Sequence, residues 1–282
     1  MREFQDDVDR LRRELGASRI ILRLETPGSF YPVVAESVAD GIHRVATGHE
    51  PDFSQAPTFL FVKDERRPLI QDDCLDHPLA PPADIVGHYG VRSQLLVPVV
   101  RGDRFVGVVG VHVAEGPRTW TDGEVAQADL FARRVGWELE LEELRQALPI
   151  ARTTLRIDTG GEHYFPIAAE ALGEGVNSLR YESGLDLRKA ATMQRLLARP
   201  HETMVQEDLL AADPPPPAEL IERYGARAQV LVPIAEGETL IAFVSAHHAA
   251  TPRVFGAGEI GLVEAAARTI AQTLAPRVPG GR

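Results

Sequence analysis

Two histidines, two arginines and two glutamines stand at matching places in a stretch that occurs twice. Residues 81–118 read PPADIVGHYGVRSQLLVPVVRGDRFVGVVGVHVAEGPR, and residues 216–253 read PPAELIERYGARAQVLVPIAEGETLIAFVSAHHAATPR. His112 answers to His247, Arg92 to Arg227, Gln94 to Gln229 and Tyr89 to Tyr224, all 135 residues apart. An imidazole can bond a ligand carbonyl or carboxylate, and a guanidinium at a pocket mouth grips an anion through two parallel bonds. The same residues have plainer readings. A histidine at a strand end can bond the following loop, and Arg92 or Arg227 can pair with Asp73 or Asp208. Tyr89 and Tyr224 suit packing with the hydroxyl in water. Both sets of readings stay open at this level.

No catalytic constellation accompanies them. GxSxG, HExxH, GxxxxGK[ST] and CxxC are all missing from the sequence, and each carries a defined chemistry. The paired carboxylates Asp72-Asp73 and Glu207-Asp208 lack a nucleophilic or basic partner at fixed spacing. Cys74 is the one cysteine, which rules out an internal disulfide and any multi-cysteine metal site. Opposite Leu209 in the other copy, it reads as a small core hydrophobe. Catalytic and metal-ligating residues are therefore expected to be none.

The elements that must position the candidates follow from the repeat. Leu69–Gly136 against Met204–Ala271 keeps register over 68 positions with 23 identities. That period is far above those of solenoid repeats, so it marks a duplicated domain. We expect two domains, 1–148 with a leading and a connecting helix, and 149–282. Each opens with a hairpin, SRIILRLE with FYPVVAES and ARTTLRID with HYFPIAAEA. Residues 51–65 and 185–199 read as helical in large part, the second with Leu187, Ala191, Gln194 and Leu197 on one face. Short strands follow at 68–73 and 203–208, then Pro-started helices over 82–89 and 217–224 that end at Gly90 and Gly225. A second, more apolar hairpin turns at Arg101-Gly102 and Glu236-Gly237. On its second strand Val106, Val108, Gly110 and His112 share a face. Gly107 and Gly110 leave more room than Ala242 and Ser245. A helix from Thr121, with Glu124 completing a capping box, closes the first domain, and 257–274 closes the second.

With 44% hydrophobic and 25% charged residues the chain has ordinary soluble composition. A net charge of −11 argues against nucleic acid as a direct partner. No apolar run reaches spanning length and the amino terminus is charged, which predicts no membrane insertion and a cytoplasmic location. Heptad-like stripes at Phe4, Val8, Leu11 and Leu15, at Trp137, Leu141, Leu144 and Leu148, and at Ile260, Val263, Ala267, Ile270 and Leu274 fit either internal packing or a homodimer or helical partner.

The order helix, hairpin, variable helix, short strand, helix, hairpin, long helix, with LLVPVVRGDRFVGVVGVH followed by PRTWTDGEV, resembles a GAF domain, twice over. Among GAF domains it is most similar to those of phytochromes and cyanobacteriochromes. The resemblance implies an α/β fold of α+β type, each domain an antiparallel sheet with flanking helices and a small-molecule pocket, signalling through terminal helices. Bilin-binding members carry a Cys-His pair that would fall near Pro81-Pro82 and Pro216-Pro217. No thiol is there, so no covalent bilin is expected, and the cofactor is left unknown. The reading is a non-catalytic sensory protein that binds a small, anionic ligand at Arg92, Gln94, Gly110, His112 and Tyr89, or at Arg227, Gln229 and His247. A ligand-free dimerisation scaffold and non-covalent tetrapyrrole binding are the alternatives.

Overall fold

In the computed structural model the described residues are 4–46, 53–160, 165–180, 187 and 190–277. The chain divides into two compact units, residues 1–136 with 274–282, and residues 137–273.

Unit 1 starts with α1 (Gln5–Leu15), which stops at Gly16 in the left-handed conformation, φ 56°. The hairpin β1 (Arg19–Leu24) and β2 (Val33–Val38) follows, then α2 (Pro57–Glu65), β3 (Leu69–Gln71), α3 (Ala83–Gly87), β4 (Ser93–Arg101) and β5 (Arg104–Val113). The five strands form one antiparallel sheet in the order β2-β1-β5-β4-β3. Unit 2 repeats this with β6 (Arg152–Ile157), β7 (Ile167–Leu172), α5 (Ala191–Ala198), β8 (Met204–Gln206), α6 (Ala218–Glu222), β9 (Ala226–Glu236) and β10 (Thr239–Ala249), in the sheet order β7-β6-β10-β9-β8. This is the α+β architecture that the resemblance implies. Gly102 (φ 58°) and Gly237 (φ 55°) turn the two long hairpins, a conformation that glycine adopts without steric cost.

The helix α4 (Asp122–Ala147) contributes residues up to Gly136 to unit 1 and the rest to unit 2. Its capping box forms as expected. Thr121 N donates to Glu124 Oε2 at 2.8 Å, and Glu124 N donates to Thr121 Oγ1 at 3.3 Å. Val125, Ala128, Phe131, Ala132 and Val135 are buried in its first half. The last helix is α7 (Ala257–Ala271).

Burial decides the role of the heptad stripes. Phe4, Val8, Leu11 and Leu15 are buried, as are Trp137, Leu141, Leu144, Leu148, Val263, Ala267 and Ile270. They pack inside their own units, and Trp137 Nε1 also donates to Thr273 Oγ1 at 2.9 Å. Of the two readings the stripes left open, burial of these residues fits internal packing, while Ile260 and Leu274 of the third stripe stay half-buried. A correction concerns α5. Its buried residues are Thr192, Met193 and Leu196; of the four expected on one face, Leu187 and in part Leu197 pack in the same cluster with Met204, Leu231, Leu240 and Phe243, whereas Gln194 is exposed.

Candidate functional site: a polar row across each sheet

Strand register puts four polar side chains in one line across each sheet. In unit 1 Arg19 of β1 faces His112 of β5, His112 faces Gln94 of β4, and Gln94 faces Gln71 of β3. In unit 2 the line is Arg152, His247, Gln229, Gln206. Residues level with one another on neighbouring strands point to the same face. All eight are buried.

Each row is tied down at both ends. Gln94 donates its amide hydrogen to Gln71 Oε1, and Gln71 donates to the Leu79 carbonyl at 2.6 Å. Gln229 and Gln206 repeat this at 2.5 Å, with the Pro214 carbonyl at 2.6 Å. At the other end Arg19 lies 3.6 Å from Glu36 and donates to the His43 carbonyl at 2.5 Å. Glu36 in turn accepts from the Val45 amide at 2.7 Å and the Ala46 amide at 3.2 Å. In unit 2 Arg152 donates to the Asn177 carbonyl at 2.7 Å, and Glu170 accepts from the Leu179 amide at 3.1 Å.

The histidines in the middle are held neutral. Burial first, then the charges of Arg19 and Arg23, bring the His112 imidazole down to about 3. Burial with Arg152 and Arg156 does the same for His247. Removal from water disfavours the imidazolium, and nearby cations add to that. In both rings Nδ1 is buried without a hydrogen-bond partner. A neutral imidazole still offers one donor and one acceptor nitrogen.

A cavity of about 60 Å³ adjoins the row in unit 1. Arg23, Gln94 and His112 line it, with Phe53, Phe59, Leu96, Val108, Gly110 and Pro82 among its walls. Its counterpart in unit 2, about 40 Å³, is lined by Arg156, Gln229, Ser245 and His247, with Phe243 in the place of Val108. Phe243 narrows the second cavity, as its size predicts. Ser245 spends its hydroxyl on Thr154 Oγ1 at 2.5 Å.

The structure sorts the sequence candidates. Gln94, Gly110 and His112, with Gln229 and His247, come together at the cavities. Arg92 and Arg227 do not line them. Arg92 makes two bonds to Asp73, at 2.8 and 2.6 Å, and Arg227 pairs with Asp208 at 2.9 and 3.0 Å. The carboxylate of Asp73 is held down to about 2, mainly by Arg92. The cation at each cavity is instead Arg23 or Arg156. Tyr89 and Tyr224 lie outside the linings too. Their rings sit under the guanidinium carbons of Arg19 and Arg152, at 5.2 and 5.4 Å, a cation–π arrangement. Gly107 faces away from the cavity: a Cβ there would meet the Arg23 carbonyl at 2.2 Å, so its smallness serves the approach of β1. Cys74 is a buried core thiol, its pKa pushed up to about 12, chiefly by burial.

Arg19, Arg23, Gln71 and their twins were missed by sequence reasoning. The signal was present in both opening hairpins, SRIILRLE and ARTTLRID, where the arginines coincide. Buried arginine on an apolar strand is uncommon unless it is paired.

Arg23 and Arg156 share a further feature. Each donates to the carbonyl of an aromatic residue in the left-handed region, Tyr31 (φ 45°) at 3.0 Å and Phe165 (φ 52°) at 2.8 Å. That conformation is costly for a bulky side chain, and it is kept in both copies.

The profile of the GAF domain matches residues 3–139 and, again, residues 137–274. The chain belongs to the GAF domain family. It is a tandem of two domains from a sensory, ligand-binding family whose members are in general non-catalytic, bind small ligands and often dimerise. No curated protein matches it. Solved structures similar to it include cyanobacteriochrome GAF domains. The GAF domain of the cyanobacteriochrome TePixJ is 20% identical, with 50% of this chain and 88% of that chain covered and a TM-score of 0.43. The third GAF domain of Slr1393 from Synechocystis sp. PCC6803 is 20% identical, over 49% of this chain and 90% of that one, TM-score 0.41. A far-red-absorbing dark state with bound biliverdin is 20% identical over 47% and 85%, TM-score 0.38. No helix among the described residues is long and apolar enough to cross a membrane.

Proposed function

We propose that this tandem GAF protein is a sensor whose unit 1 cavity binds a compact ligand. The ligand has an apolar body and a polar head that meets Arg23, Gln94 and His112. The observation that carries the reading is the polar row beside the cavity: a fixed amide, a neutral imidazole and a guanidinium converge on apolar walls. A few convergent polar groups in an apolar concavity are the usual composition of a ligand site. Pockets for drug-sized ligands measure about 300–1,000 Å³, and about 60 Å³ favours something much smaller than a tetrapyrrole.

The route outward runs through β4. This strand carries Gln94 and Leu96 at the cavity, while its Val100 carbonyl lies hard against Gly136 of α4. Close-packed elements transmit displacement because they have little free volume to absorb it. A change at Gln94 therefore biases α4, the helix shared by both units.

The test is native mass spectrometry and an absorption spectrum of protein purified from its own host, repeated for Arg23→Met and His112→Gln. A mass-shifted species present in wild type and lost in both folded variants supports the site. A species retained in both places the ligand elsewhere, and wild type with no ligand from host or from a metabolite panel favours the scaffold reading.

A further inference from the structure

Arg156 is the least satisfied cation beside either cavity. Its guanidinium has five N–H donors, and Nη1 donates to the Phe165 carbonyl at 2.8 Å. Among the described residues no carboxylate pairs with it. Glu170, the acid whose field acts on it, is turned to the Ser178 hydroxyl and the Leu179 amide. Arg152 and Arg156 thus share one carboxylate, and His247 between them adds no negative charge. In unit 1 the corresponding Arg23 lies with its guanidinium carbon 4.5 Å over the ring of Phe53.

Arginine does not shed its proton to escape such a site. Burial lowers Arg156 only to about 10, so it is a cation at neutral pH. Arg156 is half-buried, and a guanidinium with this little water around it still gains from an anion that meets it. The rest of the cavity suits one kind of anion. Leu179, Leu187, Met193, Leu196 and Leu231 supply apolar walls. At the polar end, His247 Nδ1 is buried without a partner, and in the tautomer that protonates it this nitrogen can donate to a carboxylate oxygen. One planar guanidinium fork matches the two oxygens of a carboxylate, and the leucine walls match a short hydrocarbon tail. A phosphate, with more charge and more oxygens, would leave bonds unmade there.

We propose that the unit 2 cavity is a second ligand site, specific for a short-chain monocarboxylate whose head group pairs with Arg156. It rests on the reading that GAF cavities in this chain hold ligands, and it names the ligand class for unit 2. The tail lies against Met193 and Leu231. The Phe165 carbonyl fixes the fork from behind, leaving its other donors for the carboxylate.

The experiment is isothermal titration of the full chain at pH 7 with acetate, butyrate, hexanoate and benzoate. Butyramide serves as the uncharged counterpart, and inorganic phosphate as the compact anion. One carboxylate of the panel should bind at one site per chain, at least tenfold more tightly than butyramide or phosphate. Arg156→Met should weaken it tenfold or more and Arg156→Lys less, while Arg23→Met leaves it within twofold. The carboxylate-to-amide ratio on wild type decides the matter even where a variant does not fold. Equal binding of acid and amide, no binding by any acid of the panel, or binding unchanged in Arg156→Met would each overturn the proposal. Loss in Arg23→Met with retention in Arg156→Met would overturn it too, while leaving the unit 1 reading intact.

Discussion

A Cβ placed on Gly136 would lie 2.2 Å from the carbonyl oxygen of Val100. The obstacle is backbone, not a side chain that can swing away, so Gly136→Ala has nowhere to relax. The better helix propensity of alanine gains about 1 kcal/mol, and overpacking of this kind costs about 1–3 kcal/mol or more. We expect a net loss of stability and a lower urea midpoint. Ala271, the exposed twin position on α7, offers the control: Ala271→Gly should cost no more than about 1 kcal/mol. A Gly136→Ala protein as stable as wild type would show that α4 can lift off β4, and the proposed route from the cavity would lose its basis.

His112 and His247 make stability depend on pH. In the folded protein both are lowered to about 3, whereas an unfolded histidine titrates near 6.5. Below that value the unfolded chain binds protons that the folded one does not, so stability is full above about pH 6.5 and declines as pH falls toward 3. The limiting slope is about 1.4 kcal/mol per pH unit for each histidine. Half-buried His248 shifts the same way. Chemical denaturation between pH 6.5 and 5, above most carboxylate titrations, should show the decline. His112→Gln and His247→Gln should each flatten it; a slope unaltered in both would mean that these rings take up protons while folded.

Asp129 is buried on α4 and holds two cations. Arg133 Nε donates to it at 2.9 Å and Arg277 Nε at 2.7 Å. The same arginines reach backbone oxygens, Arg133 to Leu274 at 2.7 Å and Arg277 to Pro98 at 2.6 Å. Removing one partner of a buried ion pair typically costs about 3–5 kcal/mol. We expect Asp129→Ala to destabilise unit 1 by about that amount, and a chain ended after Thr273 to lose part of it. Hydrogen exchange on β4 and α4 would report the effect; protection unchanged in both would mean the cluster contributes little.

The sheets, the hairpins and the capped α4 were legible because each follows from local rules: period-two patterning, an x-Gly turn, a Thr-x-x-Glu box. The duplication then fixed the correspondence between units. Two of the four residues in each polar row, His112 and Gln94, were found because they lie in the best-kept stretch. Arg92 carried two readings, and the structure shows the ion pair with Asp73. It leads into the same strand as Gln94, but Asp73 stands close enough on the neighbouring edge to take its guanidinium. Arg19 and Arg23 went unread because an arginine in an apolar strand looks like surface until the register sets Arg19 level with His112 and Arg23 level with Val108 at the cavity. The heptad stripes were ambiguous in principle, since an apolar stripe records that a helix face is covered but not by what.

The position of Arg277 has a consequence for how the protein is made. Unit 1 is complete only with residues that follow the whole of unit 2 in the sequence. On the ribosome, α4 and β4 can assemble early, but Asp129 must wait for its second cation until residue 277 has been translated. The first domain to emerge is therefore the last to be finished, and during that interval its buried carboxylate has Arg133 alone. An expression clone cut at the apparent repeat boundary would keep it permanently at that stage of synthesis.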